Sequence, residues 1–370
     1  MLVTDNRTYI EDTHFETADE FLKSISYGGD LYKILDENFI FRGHSSEKYR
    51  LVPTALRACL RDRFYSNETN PKLERIIAQS EYGQIEAEAR LLFNFYKQCD
   101  KTHLYIPDEQ RLHNSISTHL PFDYTILFKP EYWIAEEYQE LAGLAQHYGV
   151  PTRLLDWTSD INVALYFASS SAIKKMATPL KSTRLEWTEE LRQQGEKVRD
   201  YIKTHEYKED KKDNIEIWAL DTSVLFSVDC FSIPLKITKP GYHNNANLAA
   251  QKGLFTYWQI RKPLKKNGEE FIPNLSTQIN NDSLDVLLTK YLEQHQVTER
   301  KFIYHFTIPY SAAIELYEYA KRHHSDASFL FPGYSGVARC LEEDDFVHTL
   351  KQKRNAKSSP LKAVSSIICR

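Results

Sequence analysis

The stretch Gln146-His147-Tyr148-Gly149-Val150-Pro151-Thr152-Arg153-Leu154-Leu155-Asp156-Trp157-Thr158, with the apolar run Val163 to Ala168 behind it, constrains this chain more than any other. A helical segment through Ile134, Tyr138, Leu141, Leu144 and Ala145 delivers Gln146 and His147 to a Gly-Val-Pro turn. The chain then enters a short strand over Thr152 to Trp157, whose alternation places Arg153, Leu155 and Trp157 on one face and Thr152, Leu154 and Asp156 on the other. Asp160 caps a buried helix carrying Tyr166 and Phe167. Two readings stand for the polar groups here. They bind a ligand, as loops on rigid elements commonly do, or Arg153, Asp156 and the Trp157 indole satisfy one another as a structural network.

The same period analysis extends to both ends. Phe21, Leu22 and Ile25 mark a short amphipathic helix from Thr17 to Ser26. A β-like run, Asn38 to Phe41, ends in Arg42-Gly43-His44, where an Arg beside a Gly suits an anionic ligand such as a phosphate, although an ordinary edge-strand Arg fits the spacing as well. A long helical pattern starts at Pro71, with Glu86, Glu88 and Arg90 as its solvated side. Strands are expected near residues 39, 153, 217, 254 and 303. Gln251 stands two residues before Gly253 at the entrance to one of them, placed to hydrogen-bond a ligand edge or to act as a satisfied turn amide. The expected fold class is α+β: a small bent mixed or antiparallel sheet surrounded by helices. It divides into an N-terminal helical segment (1–35), a main domain (36–345) with a helical insertion (65–145) and a charged excursion (182–213), and a C-terminal tail (346–370).

Composition removes several function classes. A formal charge of −4 on 370 residues gives no global electrostatic case for nucleic acid or membrane. No apolar run approaches a membrane span, and the opening Met1 to Asn6 lacks a signal-peptide pattern, so a cytoplasmic location is expected. The five cysteines are scattered and never form a Cys-x-x-Cys pair, which speaks against a disulfide framework or a zinc site. The adjacent His323-His324 pair diverges, and His103 and His113 lack carboxylates at ligand spacing, so no metal is expected. Arg50, Arg57, Arg61 and Arg63 form a local basic strip that would serve a nucleic acid.

Phe41-Arg42-Gly43, then Leu51-Val52-Pro53-Thr54 and Arg57, resembles the motif that names the FRG domain. Gln146 to Trp157 with Ala164 to Ala168, Gln251 to Phe255, and Phe331-Pro332-Gly333 through Leu341 resemble its later blocks, so the likeness runs from about residue 36 to 345. The chain departs from the pattern at Ile161-Asn162 and in the charged excursion that follows. A more distant similarity is to ADP-ribosyltransferases, with Arg42, Tyr166-Phe167 and Gln251 in comparable order. That similarity implies NAD as substrate and Arg42, Gly43, His44, Arg57, His147, Thr152, Arg153, Tyr166 and Phe167 as the binding set. It implies Gln251, with Asp156 in reserve, beside Arg42 as the catalytic groups. Asp156 is carried because an amide cannot act as a carboxylate base. In that reading Arg153 and Asp156 pair to brace the pocket floor, while His147, Thr152 and Tyr166 touch the ligand. The implied setting is a bacterial toxin or phage-defence effector with a protein or nucleic-acid acceptor and an antitoxin or activating partner. The competing reading is a non-catalytic nucleotide-sensing or nucleic-acid-binding module.

Overall fold

The computed structural model describes residues 8–57, 81–107, 133–194, 213–226, 233–241, 245–259 and 282–358. In chain order the strands are β1 (Ile10–His14), β2 (Phe39–His44), β3 (Leu155–Thr158), β4 (Asn214–Asp221), β5 (Leu235–Thr238), β6 (Gly253–Trp258) and β7 (Ile303–Pro309). The helices are α1 (Ala18–Ile25), α2 (Asp30–Ile34), α3 (Thr54–Arg57), α4 (Glu81–Lys101), α5 (Glu136–His147), α6 (Ile161–Gln194), α7 (Ala246–Ala250), α8 (Leu284–Gln294), α9 (Ala313–Arg322), α10 (Ala327–Leu330) and α11 (Tyr334–Ser358). The class is α+β, as the sequence implies. The chain forms two compact units, one of residues 1–49, 158–221 and 301–370, the other of residues 50–157 and 222–300.

In the first unit the strands lie in the order β1-β7-β4-β2, with Thr158 at the end of β3 opposite Phe41. β1 runs parallel to β7, and the other pairs are antiparallel. The N-terminal segment is therefore not purely helical: Ile10–His14 adds the edge strand ahead of α1. A five-residue strand in which only Ile10 is fully buried offers little period-2 signal, and its pairing depends on a partner some 290 residues away, which explains the miss. Helix α1 begins where the pattern placed it, because the Thr17 side chain accepts from the Glu20 amide and caps it.

One face of this sheet is oily. Phe39, Phe41, Ile215, Ile217, Ala219, Phe306 and Ile308 pack against Val163, Leu165, Tyr166 and Ala168 of α6 and against α9 and α11. Each such large side chain, taken fully from water, contributes about 1.5–3 kcal/mol. Helix α6 opens as expected, with the Asp160 carboxylate accepting from the Asn162 amide at 2.9 Å. It continues through 182–194 of the charged excursion, of which residues 195–212 lie outside the described residues. Helix α11 likewise continues past residue 346 to Ser358. Phe346, Val347 and Leu350 form its buried side, whereas Val337 and Leu341 are exposed.

In the second unit β3, β6 and β5 are neighbours, β5 and β6 being antiparallel. The strand after the Gly-Val-Pro turn begins at Leu155, later than the alternation suggested. The unit's core joins Ile85, Ala89, Leu92 and Tyr96 of α4 to Tyr138, Leu141 and Ala145 of α5 and to Leu154, Phe255 and Tyr257. Of the helical insertion expected over 65–145, residues 81–101 and 136–145 are helical, 102–107 and 133–135 form turns and irregular connections, and 65–80 and 108–132 lie outside the described residues.

Candidate functional site

The sheet face of the first unit that looks away from α6 carries charge. Registry makes the arrangement. Asp12, His305, Trp218 and Arg42 stand side by side across β1, β7, β4 and β2, and His14, Thr307, Glu216 and His44 form the next row. Because side chains two apart in a strand share a face, the apolar residues Ile215, Ile217 and Ala219 turn one way while Glu216 and Trp218 turn the other.

The polar rows are bonded end to end. His305 Nδ1 lies 2.9 Å from Asp12 Oδ1, and its Nε2 lies 3.0 Å from Glu216 Oε1. The other Glu216 oxygen lies 3.2 Å from His44 Nδ1 and accepts from the Trp218 indole at 3.3 Å. Arg42 Nε donates to His44 Nε2 at 2.9 Å. His44 and Glu216 are buried, and the Trp218 ring stacks on His305 with centroids 3.9 Å apart.

Donor chemistry fixes the protons. An arginine Nε can only donate, so His44 Nε2 accepts and its Nδ1 carries the hydrogen that goes to Glu216. His305 faces carboxylate oxygens with both nitrogens, so both must donate and the ring is an imidazolium. Its pKa is raised accordingly: burial opposes the charge, but the hydrogen bonds and charges of Asp12 and Glu216 override it. Glu216 is shifted down. Burial alone would raise it, and the bonds and charges of His305 and His44 more than reverse that.

A pH prediction follows from the two signs. The raised His305 pKa supplies stability that is complete below the ordinary 6.5 and lost as pH climbs through the folded value. The lowered Glu216 pKa supplies stability present above the ordinary 4.5 and lost as pH falls through its folded value. The urea midpoint should therefore peak on the acid side of neutrality, and His305→Gln should remove the alkaline decline. An identical alkaline limb in wild type and variant would refute the assignment.

The residues nominated by sequence divide between the units. Arg42 and His44 belong to the charged face. Gly43 points the other way, where a Cβ would stand 2.0 Å from the Ala164 carbonyl oxygen, so its missing side chain admits the α6 backbone. Tyr166 is fully buried on that opposite face, its hydroxyl donating to Glu343 at 2.7 Å. It does not line the polar rows. Phe167 is partly buried and packs edge-on against Phe331, over which the Arg339 guanidinium lies at 4.4 Å.

In the second unit Arg153, expected to brace Asp156, is held by Glu88. Arg153, 3% exposed, grips Glu88 through Nε at 2.7 Å and Nη2 at 2.9 Å, and Glu88 also accepts from the Trp133 indole and the Gln84 amide. Glu88 is thus buried and not part of a solvated stripe. The Trp157 indole donates to Thr256. Asp156 is exposed and accepts from Gln146 at 2.8 Å, while Thr152 donates to the other end of the same Gln146 amide. His147 Nε2 lies 2.7 Å from the Asn247 amide nitrogen. Its pKa is lowered by burial, with the charge of Asp156 opposing. Gln251 is the C-cap of α7, two residues before Gly253, the first residue of β6, at the loop-to-strand junction expected for it. Arg57 donates to the Val52 and Arg50 carbonyls, and Arg50 to Ser283, so half of the proposed basic strip has internal partners. Arg61 and Arg63 lie outside the described residues.

Sequence reading missed Asp12, Glu216, Trp218 and His305. The available signal was Glu216 itself, a carboxylate between two isoleucines inside a strand whose other charge is its last residue, Asp221, where alternation puts Glu216 opposite the core. Among the described residues no group of three or more His, Cys, Asp or Glu could hold a metal ion, and no helix is long and apolar enough to cross a membrane.

Fold and site together define an α+β protein whose mixed sheet is oily on one face and carries a line of ion-paired groups on the other. Residues 37–177 match the family described as the FRG domain, and the chain carries an FRG domain over that span. β2, with its Phe41-Arg42-Gly43, lies inside it. The Gln251 and Phe331 blocks lie beyond the matched residues. No curated protein and no solved structure matches the chain, ADP-ribosyltransferases included.

Proposed function

We propose that this FRG-domain protein binds NAD through Arg42 and cleaves it, as a transferase of ADP-ribose or as a glycohydrolase, in the manner of a toxin or phage-defence effector. The observation that carries the reading is the held guanidinium on β2: Arg42 is bonded by its Nε to His44, which is itself bonded to the buried Glu216. A guanidinium so oriented suits the paired oxygens of a pyrophosphate, and ordering it in advance spares the entropy that binding would otherwise cost. Cleavage breaks the bond between the ribose anomeric carbon and the nicotinamide nitrogen. The electron pair leaves with nicotinamide, and water or an acceptor nucleophile supplies the new bond and gives up a proton. An activity that drains NAD from the cell making it calls for restraint, hence an antitoxin or an activating partner.

Purified protein is expected to release nicotinamide from NAD, and Arg42→Ala should reduce the release at least about a hundredfold. Normal turnover in Arg42→Ala would sink the assignment. A second reading, nucleotide sensing without chemistry, is favoured by the amide at position 251, which cannot serve as a base. Saturable NAD binding with no nicotinamide released would decide for it.

A further inference from the structure

The reading above uses Arg42 and leaves the rest of the charged line unassigned. We infer that His305, braced by Asp12 and acting through Glu216, is a positioning residue that keeps His44 in its neutral Nδ1–H form and thereby keeps Arg42 anchored. The inference deepens the NAD reading and rests on it only for the ligand's identity.

Along this row of contacts Asp12 and Glu216 are negative, His305 and Arg42 positive, and His44 neutral. Glu216 is buried and divides its charge between His305 on one oxygen and His44 with Trp218 on the other. Remove the His305 proton and the whole Glu216 charge falls on His44, in a setting of low polarity where such interactions are strong. His44 Nδ1 already carries a hydrogen, so the only lone pair left to protonate is on Nε2. A proton there turns the acceptor for Arg42 into a donor facing a donor, and the anchor is lost. Preorganisation of the guanidinium would go with it.

Asp12 meets His305 from β1, and Glu216 and Trp218 meet it from β4. Thr307, two residues on along β7, is bonded to His14. His44 faces Glu216 from β4, Arg42 on its own strand, and the edge of the Tyr49 ring. The raised His305 pKa agrees with an imidazolium held between two carboxylates.

The test is spectroscopic and needs no ligand. In the full-length chain labelled with 15N-histidine and 15N-arginine, wild-type His44 should show the neutral Nδ1–H pattern while His305 is protonated, with the Arg42 Nε–H protected from exchange. In His305→Gln, His44 should become an imidazolium at neutral pH, and protection of the Arg42 Nε–H should fall about tenfold, the loss of one hydrogen bond. Adding Glu216→Gln to that variant removes the carboxylate charge and should return both signals to the wild-type pattern, which a merely structural role would not produce. Asp12→Asn is the milder variant: it should shift the His305 transition to lower pH and carry the His44 and Arg42 changes with it. If His44 stays neutral, or Arg42 stays protected, when His305 is uncharged in either variant, the inference is overturned. A protein that shows this coupling yet never binds NAD would sink the NAD reading alone.

Discussion

Replacing Glu88 with alanine is expected to lower the unfolding free energy of the second unit by about 3–5 kcal/mol. The Arg153 guanidinium and the Glu88 carboxylate are 4% and 3% exposed, and the carboxylate takes hydrogen bonds from Arg153 twice, from Trp133 and from Gln84. Deleting the carboxylate strands a buried cation and leaves the indole and amide donors short of an acceptor. The loss reaches past one contact, since the pair ties α4 to the segment that follows the Gly-Val-Pro turn. Replacing both partners with apolar groups, Glu88→Leu with Arg153→Met, should cost less than either single change, because no charge remains to be desolvated. Urea unfolding read from tryptophan fluorescence measures both. A Glu88→Ala variant within about 1 kcal/mol of wild type would show the pair to be open to water.

Gly43→Ala should be nearly as damaging, at about 3 kcal/mol or more. A Cβ there would meet the Ala164 carbonyl oxygen at 2.0 Å and the Ala168 side chain at 2.9 Å. The first obstacle is backbone within a helix turn and cannot rotate aside, so α6 would have to move off β2 and open the core around Phe41 and Leu165. The residue therefore reads as the contact that lets the helix lie against the strand. Thermal unfolding of Gly43→Ala checks this, and a variant with wild-type stability that had lost only NAD binding would return Gly43 to the ligand.

The contrast between these positions shows what a sequence discloses. The α+β class, the capped helices α1 and α6, and strands near 39, 217, 254 and 303 were legible because period and capping are local properties. The edge strand β1 was not, since its partner β7 lies nearly the whole chain away. Site residues behaved in the same way. Arg42 and His44 stand together in a recognisable tripeptide, but their carboxylate partner is 172 residues from His44 and is brought to it by strand register. Arg153 is paired, as its setting suggests, and the carboxylate that grips it twice is Glu88. Asp156 is three residues away in sequence and the obvious candidate, whereas Glu88 had been set on a solvated stripe by charges at positions 86 and 90. Tyr166 illustrates the reverse case: a hydroxyl in an apolar run looked available, and its acceptor, Glu343, sits 177 residues on.

The central claim is that Arg42 on the charged face of the sheet grips the pyrophosphate of NAD. Crystals of the full-length protein soaked in NAD test it most directly. The account predicts the pyrophosphate within hydrogen-bonding distance of the Arg42 guanidinium, with the Arg42–His44 contact kept. NAD bound elsewhere on the protein, with the Arg42 guanidinium making no contact to it, would contradict the account.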